Sequence, residues 1–390
     1  DNYEAVFSQG RAEFRRRDSA IDTHTEIVVS PEDDIELRRV HFTNRSRKRK
    51  FIEVTSYAEV VLASAIADEL HPAFSNLFVQ TEINESRNAI ICTRRPRSEE
   101  EQNPWMFHVM KVHNAEIQQV TYETSRDKFI GRGNTVNNPE AINNPKGLLG
   151  NSGSVLDPIV SIQYRIYLEP YQSVKVDMIF GIAETKDLCY NLVGKYQDKN
   201  ITNRGLELAW THGQVILKQI NAVEADAQLY NKIAASIIYA NASLRTDPAN
   251  IIKNQRGQSG LWSYGISGDL PIILLQIEDI DNIEMVGQLN QAHAYWSLKG
   301  LKTDLVIWNN DHGSYRQLLQ DRIHGLVAPG LSGNLKDQPG GIFIRSVDQI
   351  SNEDRILFQS VAHVVISDSL GSLEEQVYRT NKGKSSIPYF

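Results

Sequence analysis

Val160-Ser161-Ile162-Gln163-Tyr164-Arg165-Ile166-Tyr167-Leu168 decides how the first half of this chain folds. Val160, Ile162, Tyr164, Ile166 and Leu168 alternate with Ser161, Gln163, Arg165 and Tyr167. Successive side chains of a strand point to opposite faces. The pattern therefore predicts one face on a core and one toward solvent, as in a half-buried antiparallel sheet. Val174, Val176, Met178, Phe180 and Ile182 largely repeat it, and Glu169-Pro170-Tyr171-Gln172 between the two reads as a short hairpin connection.

Working outward, residues 35–42 and 51–61 form a similar pair of strands, and 88–93 and 107–112 read as strands too. The 43–50 connection carries Arg45, Arg47, Lys48, Arg49 and Lys50. Such a cluster could hold phosphate, but it reads more simply as a solvated hairpin tip. So many strands imply a large β-sandwich. Residues 131–150, rich in Gly, Asn and Pro, form a long loop of the kind that is often functional or interfacial.

Near Leu188 the period changes. Leu206, Trp210, Gly213, Leu217 and Ile220 fall on one helical face, and Leu229, Ile233, Ile237 and Ala240 on another. Beyond residue 259, short continuous apolar runs at 270–277, 305–308, 341–344 and 364–366 alternate with helical patterns at 284–299, 315–327 and 351–361. That order predicts a small parallel sheet covered by helices. The expected fold is multidomain α+β: a β-sandwich over 1–187, a helical linker over 188–258, a small βαβαβαβ domain over 259–370 and a tail over 371–390.

The chain has 390 residues, of which 41% are hydrophobic and 23% charged, a globular mix. A net charge of −7 argues against general nucleic-acid binding. Two distant cysteines, Cys92 and Cys189, give neither a disulfide framework nor a zinc site and suit a reducing compartment. The ten histidines are scattered without metal-ligand spacing, so no metal or cofactor is expected. Gly131-Arg132-Gly133 lacks the third glycine of a dinucleotide turn, and Gly265-Ile266-Ser267-Gly268 is not a nucleophile elbow. The chain opens at Asp1 without Met and stops at Pro388-Tyr389-Phe390, and is expected to be a segment of a longer polypeptide.

Two segments are unusual: 125–133, which includes Arg132, and 260–271, which carries Trp262, Tyr264, Ser267 and Asp269 between glycines. Aromatic faces stack on sugar rings and a carboxylate accepts from adjacent hydroxyls, so the second segment can hold a carbohydrate. The plainer reading gives its glycines to a tight junction and Asp269 to loop amides.

Glu13-Phe14-Arg15-Arg16-Arg17-Asp18, Val54-Thr55-Ser56-Tyr57-Ala58-Glu59-Val60 and His71-Pro72-Ala73-Phe74-Ser75 resemble the cyclic β-1,2-glucan synthases. So do Phe129-Ile130-Gly131-Arg132-Gly133, Tyr264-Gly265-Ile266-Ser267-Gly268-Asp269-Leu270-Pro271 and Gly340-Gly341-Ile342-Phe343. The resemblance implies glycoside hydrolase family 94, formerly glycosyltransferase family 36. There a β-supersandwich precedes an (α/α)6 barrel that carries the acid for inverting phosphorolysis of β-glucosides. It implies that this segment is the noncatalytic front part, with no catalytic residue of its own. Arg132, Trp262, Tyr264, Ser267 and Asp269 are the candidate carbohydrate contacts. β-Glucan, the barrel of the same chain and a second copy in a homodimer are the expected partners. The implied location is the cytoplasm or the cytoplasmic face of a bacterial inner membrane, attached through other parts of the parent. The competing reading is a structural or oligomerisation module without a ligand.

Overall fold

The alternating stretch is β11 in the computed structural model, which describes residues 3–96, 98, 101–311, 313, 316–328 and 335–379. In chain order the strands of the first half are β1 (Tyr3–Ser8), β2 (Arg11–Asp18), β3 (Ile21–Val29), β4 (Ile35–Asn44), β5 (Lys50–Thr55), β6 (Ala58–Glu59), β7 (Val79–Asn84), β8 (Ala89–Arg94), β9 (Trp105–His113), β10 (Glu116–Ser125), β11 (Pro158–Leu168) and β12 (Ser173–Ala183). An eight-stranded sheet runs β1-β2-β3-β4-β12-β9-β8-β7. A smaller sheet runs β10-β11-β5, with β6 also paired to β11. Every pairing is antiparallel. Val40, Met110, Ile162, Tyr164, Ile166, Val174 and Val176 fill the space between the two layers.

Three expectations need correction here. Residues 35–42 and 51–61 do not pair with one another: β4 lies in the large sheet, whereas β5 and β6 lie in the small one. The basic 43–50 loop and the Glu169–Gln172 turn therefore pass between layers instead of closing hairpins. Hydrophobic period identifies a strand but not its neighbour. The supposed solvent face of β11 is also buried: Ser161, Gln163 and Arg165 are 0%, 1% and 8% exposed.

The cover over that face is the 126–157 segment, with short helices α3 (Arg126–Ile130) and α4 (Glu140–Asn143). Arg165 donates to the carbonyls of Asn144 and Pro145, and the Leu148 N–H donates to Thr121 Oγ1. Phe129, Ile130, Ala141, Leu148 and Ile159 form a small core beneath the loop. Numbering helices in chain order, α1 (Ala65–Leu70) and α2 (Pro72–Asn76) precede these two, and α5 (Lys186–Lys195) and α6 (Lys199–Gln219) follow β12. Cys189, Val193, Tyr196, Leu206 and Ala209 pack on Val28, Leu37, Val109 and Ile179 of the large sheet. Trp210, expected inward, is 59% exposed, because the buried stripe follows Leu206, Ala209, Gly213 and Leu217.

The chain divides into two compact units, Asp1–Gly213 and Gln214–Phe390, with the boundary inside α6. The second unit contains α7 (Glu224–Ile238), α8 (Pro248–Lys253), β13 (Ile272–Ile277), α9 (Glu284–Leu298), β14 (Asp304–Asn309), α10 (Arg316–Val327), β15 (Ile342–Ser346), α11 (Asn352–Val361), β16 (Val364–Ser367) and α12 (Leu373–Tyr378). The sheet is parallel in the order β15-β14-β13-β16, as the alternation of strand and helix predicts. Side chains from α7, α9, α10 and α12 cover one face, and α11 with the 258–264 turn covers the other. Ser351 caps α11 by accepting the Asp354 N–H. Leu326, expected inward on α10, is 38% exposed. Tyr315, at the expected start of that helix, and 380–390 of the expected tail lie outside the described residues.

Candidate functional site

The 260–271 segment begins in a 3-10 turn, Gln258–Tyr264, anchored by the buried side chain of Leu261. Gly265 ends the turn at φ +76°, and Gly268 follows at φ +79°. A side chain at Gly268 would press on Gln258 Cγ at 2.9 Å and Leu261 Cδ1 at 3.0 Å, so these glycines do serve a tight chain path.

Three of the five sequence-derived site residues come together around Gln258. Its Nε2 donates to the Ser267 carbonyl at 2.8 Å and to Asp269 Oδ1 at 2.9 Å. Trp262 Nε1 donates to the same carbonyl at 3.2 Å, and Ser267 Oγ accepts the Asp269 N–H at 3.2 Å. Trp262 is thereby held with its ring 63% exposed. Tyr264 turns away from this group. Its hydroxyl donates to Asp354 Oδ2 at 2.9 Å, and its ring meets Phe358 edge-on. Burial, and then the Asp354 carboxylate, raise its phenol above the ordinary range. Arg132 lies in the first unit and is exposed.

Beside the segment is a cavity of about 560 Å³ lined by Ser263, Tyr264, Gly265, Ile344, Arg345, Ser346, Gln349 and Ile350. Arg345 is committed within it, donating to the Tyr264 carbonyl at 2.5 Å and to Asp337 at 2.7 Å. Its charge is neutralised by Asp337, so the cavity suits hydroxyls better than phosphate. At the carboxyl ends of β13 and β16, Asp368 accepts the backbone N–H groups of Glu278 and Asp279, both at 2.9 Å. In open α/β sheets a ligand phosphate takes such amides at the point where strand order reverses. Here a carboxylate of the chain itself takes them.

Among the described residues no three His, Cys, Asp or Glu side chains assemble as metal ligands, and no helix is long and apolar enough to cross a membrane. A larger groove of about 1170 Å³ lies on the large sheet, lined by residues that include Arg15, Arg17, Asp22, His24, His41 and Arg45. The sequence reading did not single it out. The signal was present as alternating charge in Glu13, Arg15 and Arg17 and in Asp22, His24 and Glu26.

The glycosyl hydrolase 94 supersandwich domain matches residues 1–199, half of the chain. The chain belongs to that family. Cyclic beta-(1,2)-glucan synthase NdvB of Rhizobium meliloti (strain 1021) is 29% identical over 374 residues, which is 96% of this chain and 13% of that protein. The chain thus spans about an eighth of the relative it matches. A putative kojibiose phosphorylase from human microbiome aligns over 51% of this chain and 22% of its own, at 10% identity and a TM-score of 0.29. Heparinase III covers 47% and 22%, at 4% identity and 0.28. The family resemblance read from the sequence motifs is borne out by the first two matches.

Proposed function

We propose that this chain is the noncatalytic front part of a β-glucan synthase or phosphorylase-like protein, a scaffold that also holds glucan for chemistry performed elsewhere in the parent. The observation that supports this most is the pairing of coverages: 96% of the chain aligns within 13% of a cyclic glucan synthase. Phosphorolysis needs an acid to protonate the leaving oxygen while phosphate attacks the opposite face of the sugar, and that acid belongs to a barrel domain of the parent. Glucan contact falls to Trp262, Ser267 and Asp269, with Tyr264 and Arg132 as outlying candidates. Any membrane attachment belongs to other parts of the parent, with this segment in the cytoplasm or at its face of the membrane.

The test is to mix the 390-residue chain with β-1,2-glucooligosaccharides and inorganic phosphate. The expected result is heat of binding by calorimetry and no glucose 1-phosphate. Release of glucose 1-phosphate would overturn the noncatalytic assignment. No binding heat would overturn the glucan-holding role and leave the scaffold role alone.

A further inference from the structure

The register of the large sheet places its charged residues in three rows across the strands. Glu4, Arg15, His24, His41, Lys175 and His113 stand opposite one another in sequence across β1, β2, β3, β4, β12 and β9. A second row is Val6, Glu13, Glu26, Arg39, Asp177 and Lys111. A third is Arg17, Asp22, Thr43 and Ser173. The period of two puts all three on one face. Val28, Leu37, Ile179 and Val109 lie on that same face, under α5 and α6. That sheet face is thus apolar under the helices and charged in the groove over β1–β4.

The arginines that line the groove are each held by a carboxylate in it or beside it, Arg16 by Asp18 at 2.7 Å. Arg11 pairs with Glu26 at 2.9 Å, and Arg15 with Glu13 at 3.3 Å and Glu4 at 3.4 Å. Asp22 takes Arg17 at 3.0 Å and Arg45 at 2.7 Å. His24 Nε2 lies 3.0 Å from Glu13, and His41 Nε2 lies 3.5 Å from Glu26. The two imidazoles are tilted by 30° with centroids 5.8 Å apart. Hydrogen bonds from Arg17, then Arg45, hold the Asp22 carboxyl down at about 2, and one from His41 holds Glu26 below the ordinary carboxylate range.

We infer that this groove is a second carbohydrate site, for a neutral extended oligosaccharide, lying on the sandwich and sharing no residue with the 260–271 segment. It rests on the glucan-holding reading above and gives that reading a place on the first unit. An anionic ligand needs guanidinium groups whose charge is not already spent, and here the four lining arginines, Arg15, Arg16, Arg17 and Arg45, meet Glu4, Glu13, Asp18 and Asp22. A protein interface places its apolar and aromatic residues at the centre and is depleted of charge there, whereas among the described lining residues only Tyr3, on the edge strand β1, is of that kind. A sugar chain asks for planar groups that donate and accept in pairs and are already fixed in place. Arg15, Glu4, His24, His41 and Asp22 supply them, and the two imidazoles add ring faces. At ~4.8 Å between strands, β1 to β12 span roughly 19 Å, room for several sugar residues in line.

The test uses the full chain with linear β-1,2-glucooligosaccharides, followed by calorimetry, with a Trp262→Ala chain and an Arg15→Ala/His24→Ala chain alongside. Both positions of the double variant are on the surface layer, and its unfolding midpoint should match the native chain. The expected result is two binding events in the native chain: the double variant weakens one of them at least tenfold, Trp262→Ala keeps that one and weakens the other, and the affinity of the first is nearly constant from low to high salt, since a neutral ligand releases no counterions. Loss in Trp262→Ala with the double variant unaffected would overturn this site while leaving the glucan-holding reading intact. No binding by the native chain would overturn both. Displacement of the oligosaccharide by inorganic phosphate or a sulfated oligosaccharide, with salt-dependent affinity, would overturn the neutral-ligand assignment.

Discussion

Ser56 and His108 meet across the buried middle of the sandwich, Oγ to Nε2 at 2.8 Å, joining the small sheet to the large one. His108 Nδ1 donates to the Ile179 carbonyl at 3.1 Å, so Nε2 is left to accept the Ser56 hydroxyl. The ring stacks on Phe180 with centroids 4.1 Å apart. A serine beside a histidine suggests nucleophilic chemistry, but both side chains lie in the core, at 5% and 0% exposure. The pair works as a polar bridge between layers.

That bridge makes stability depend on acid. Burial pushes the His108 imidazole down to about 4, against an ordinary 6.5. Between those values the unfolded chain takes up a proton that the folded chain refuses. The contribution is therefore complete above about pH 6.5 and lost as pH falls toward 4, on the order of 3 kcal/mol in all. Urea midpoints at pH 4.5, 5.5 and 7 should fall together with pH in the native chain and flatten in His108→Gln. Parallel profiles for the two chains would refute the assignment.

Arg39 and Asp177 form the second buried polar feature. Arg39 Nε and Nη2 reach the two Asp177 oxygens at 2.7 and 3.0 Å, and Nη1 reaches Asn203 of α6 at 2.7 Å. Burial raises the Asp177 carboxyl, but His113 and Arg39 outweigh it and hold it below the ordinary range. Asp177→Ala strands the guanidinium and should cost about 3–5 kcal/mol in urea unfolding. Replacing Arg39 and Asp177 together with Met and Leu should recover much of that loss. A double variant no better than Asp177→Ala would show that the loss comes from something other than the stranded charge.

How much of this was legible depended on what each residue reports. The runs at Ile272–Leu275 and Leu305–Trp308 are apolar on both faces, and continuous apolar strands separated by helices leave little choice but a covered parallel sheet. Period two at Val160–Leu168, at residues 35–42 and at residues 51–61 reports strands but not their partners, and neither β11 with β12 nor β4 with β5 is a pair. Ser161, Gln163 and Arg165 look like solvent-facing residues because their burial is matched by polar partners: Ser161 donates to the Ser56 carbonyl, Gln163 to Thr55 Oγ1 and Arg165 to the Asn144 carbonyl of the covering loop. Trp262, Ser267 and Asp269 were close in sequence and stayed close in space. The groove over β1–β4 was harder to see. Its residues come from five strands and two connections, and each pair of charges taken alone reads as ordinary surface.

Two glycines should respond in opposite directions to the same change. At Gly341 a Cβ would sit 1.7 Å from the Leu335 carbonyl oxygen, a backbone atom with nowhere to go. Gly341→Ala should lose at least about 3 kcal/mol. Gly287, inside α9, has open space at the same position, so Gly287→Ala should gain about 0.5–1 kcal/mol from the unfolded chain's lost freedom. Thermal midpoints of the two variants settle the pair, and an unchanged midpoint for Gly341→Ala would contradict this packing at β15.

Asp304 carries the last prediction. It is fully buried at the start of β14, where Oδ1 accepts the Gly340 N–H at 2.7 Å while Oδ2 has no hydrogen-bond partner among the described residues. Burial raises its carboxyl above the ordinary range, and the nearby Asp269 adds to the shift. A carboxyl raised on folding binds its proton more tightly in the folded chain, so its presence costs progressively more stability as pH climbs past the unfolded value near 4. Asp304→Asn keeps the shape and the Gly340 contact but carries no charge. Its midpoint should equal the native one near pH 4 and rise above it by pH 8. A native chain that is the more stable of the two at pH 8 would mean that the carboxylate is held by a partner, and that this corner of the sheet is built differently.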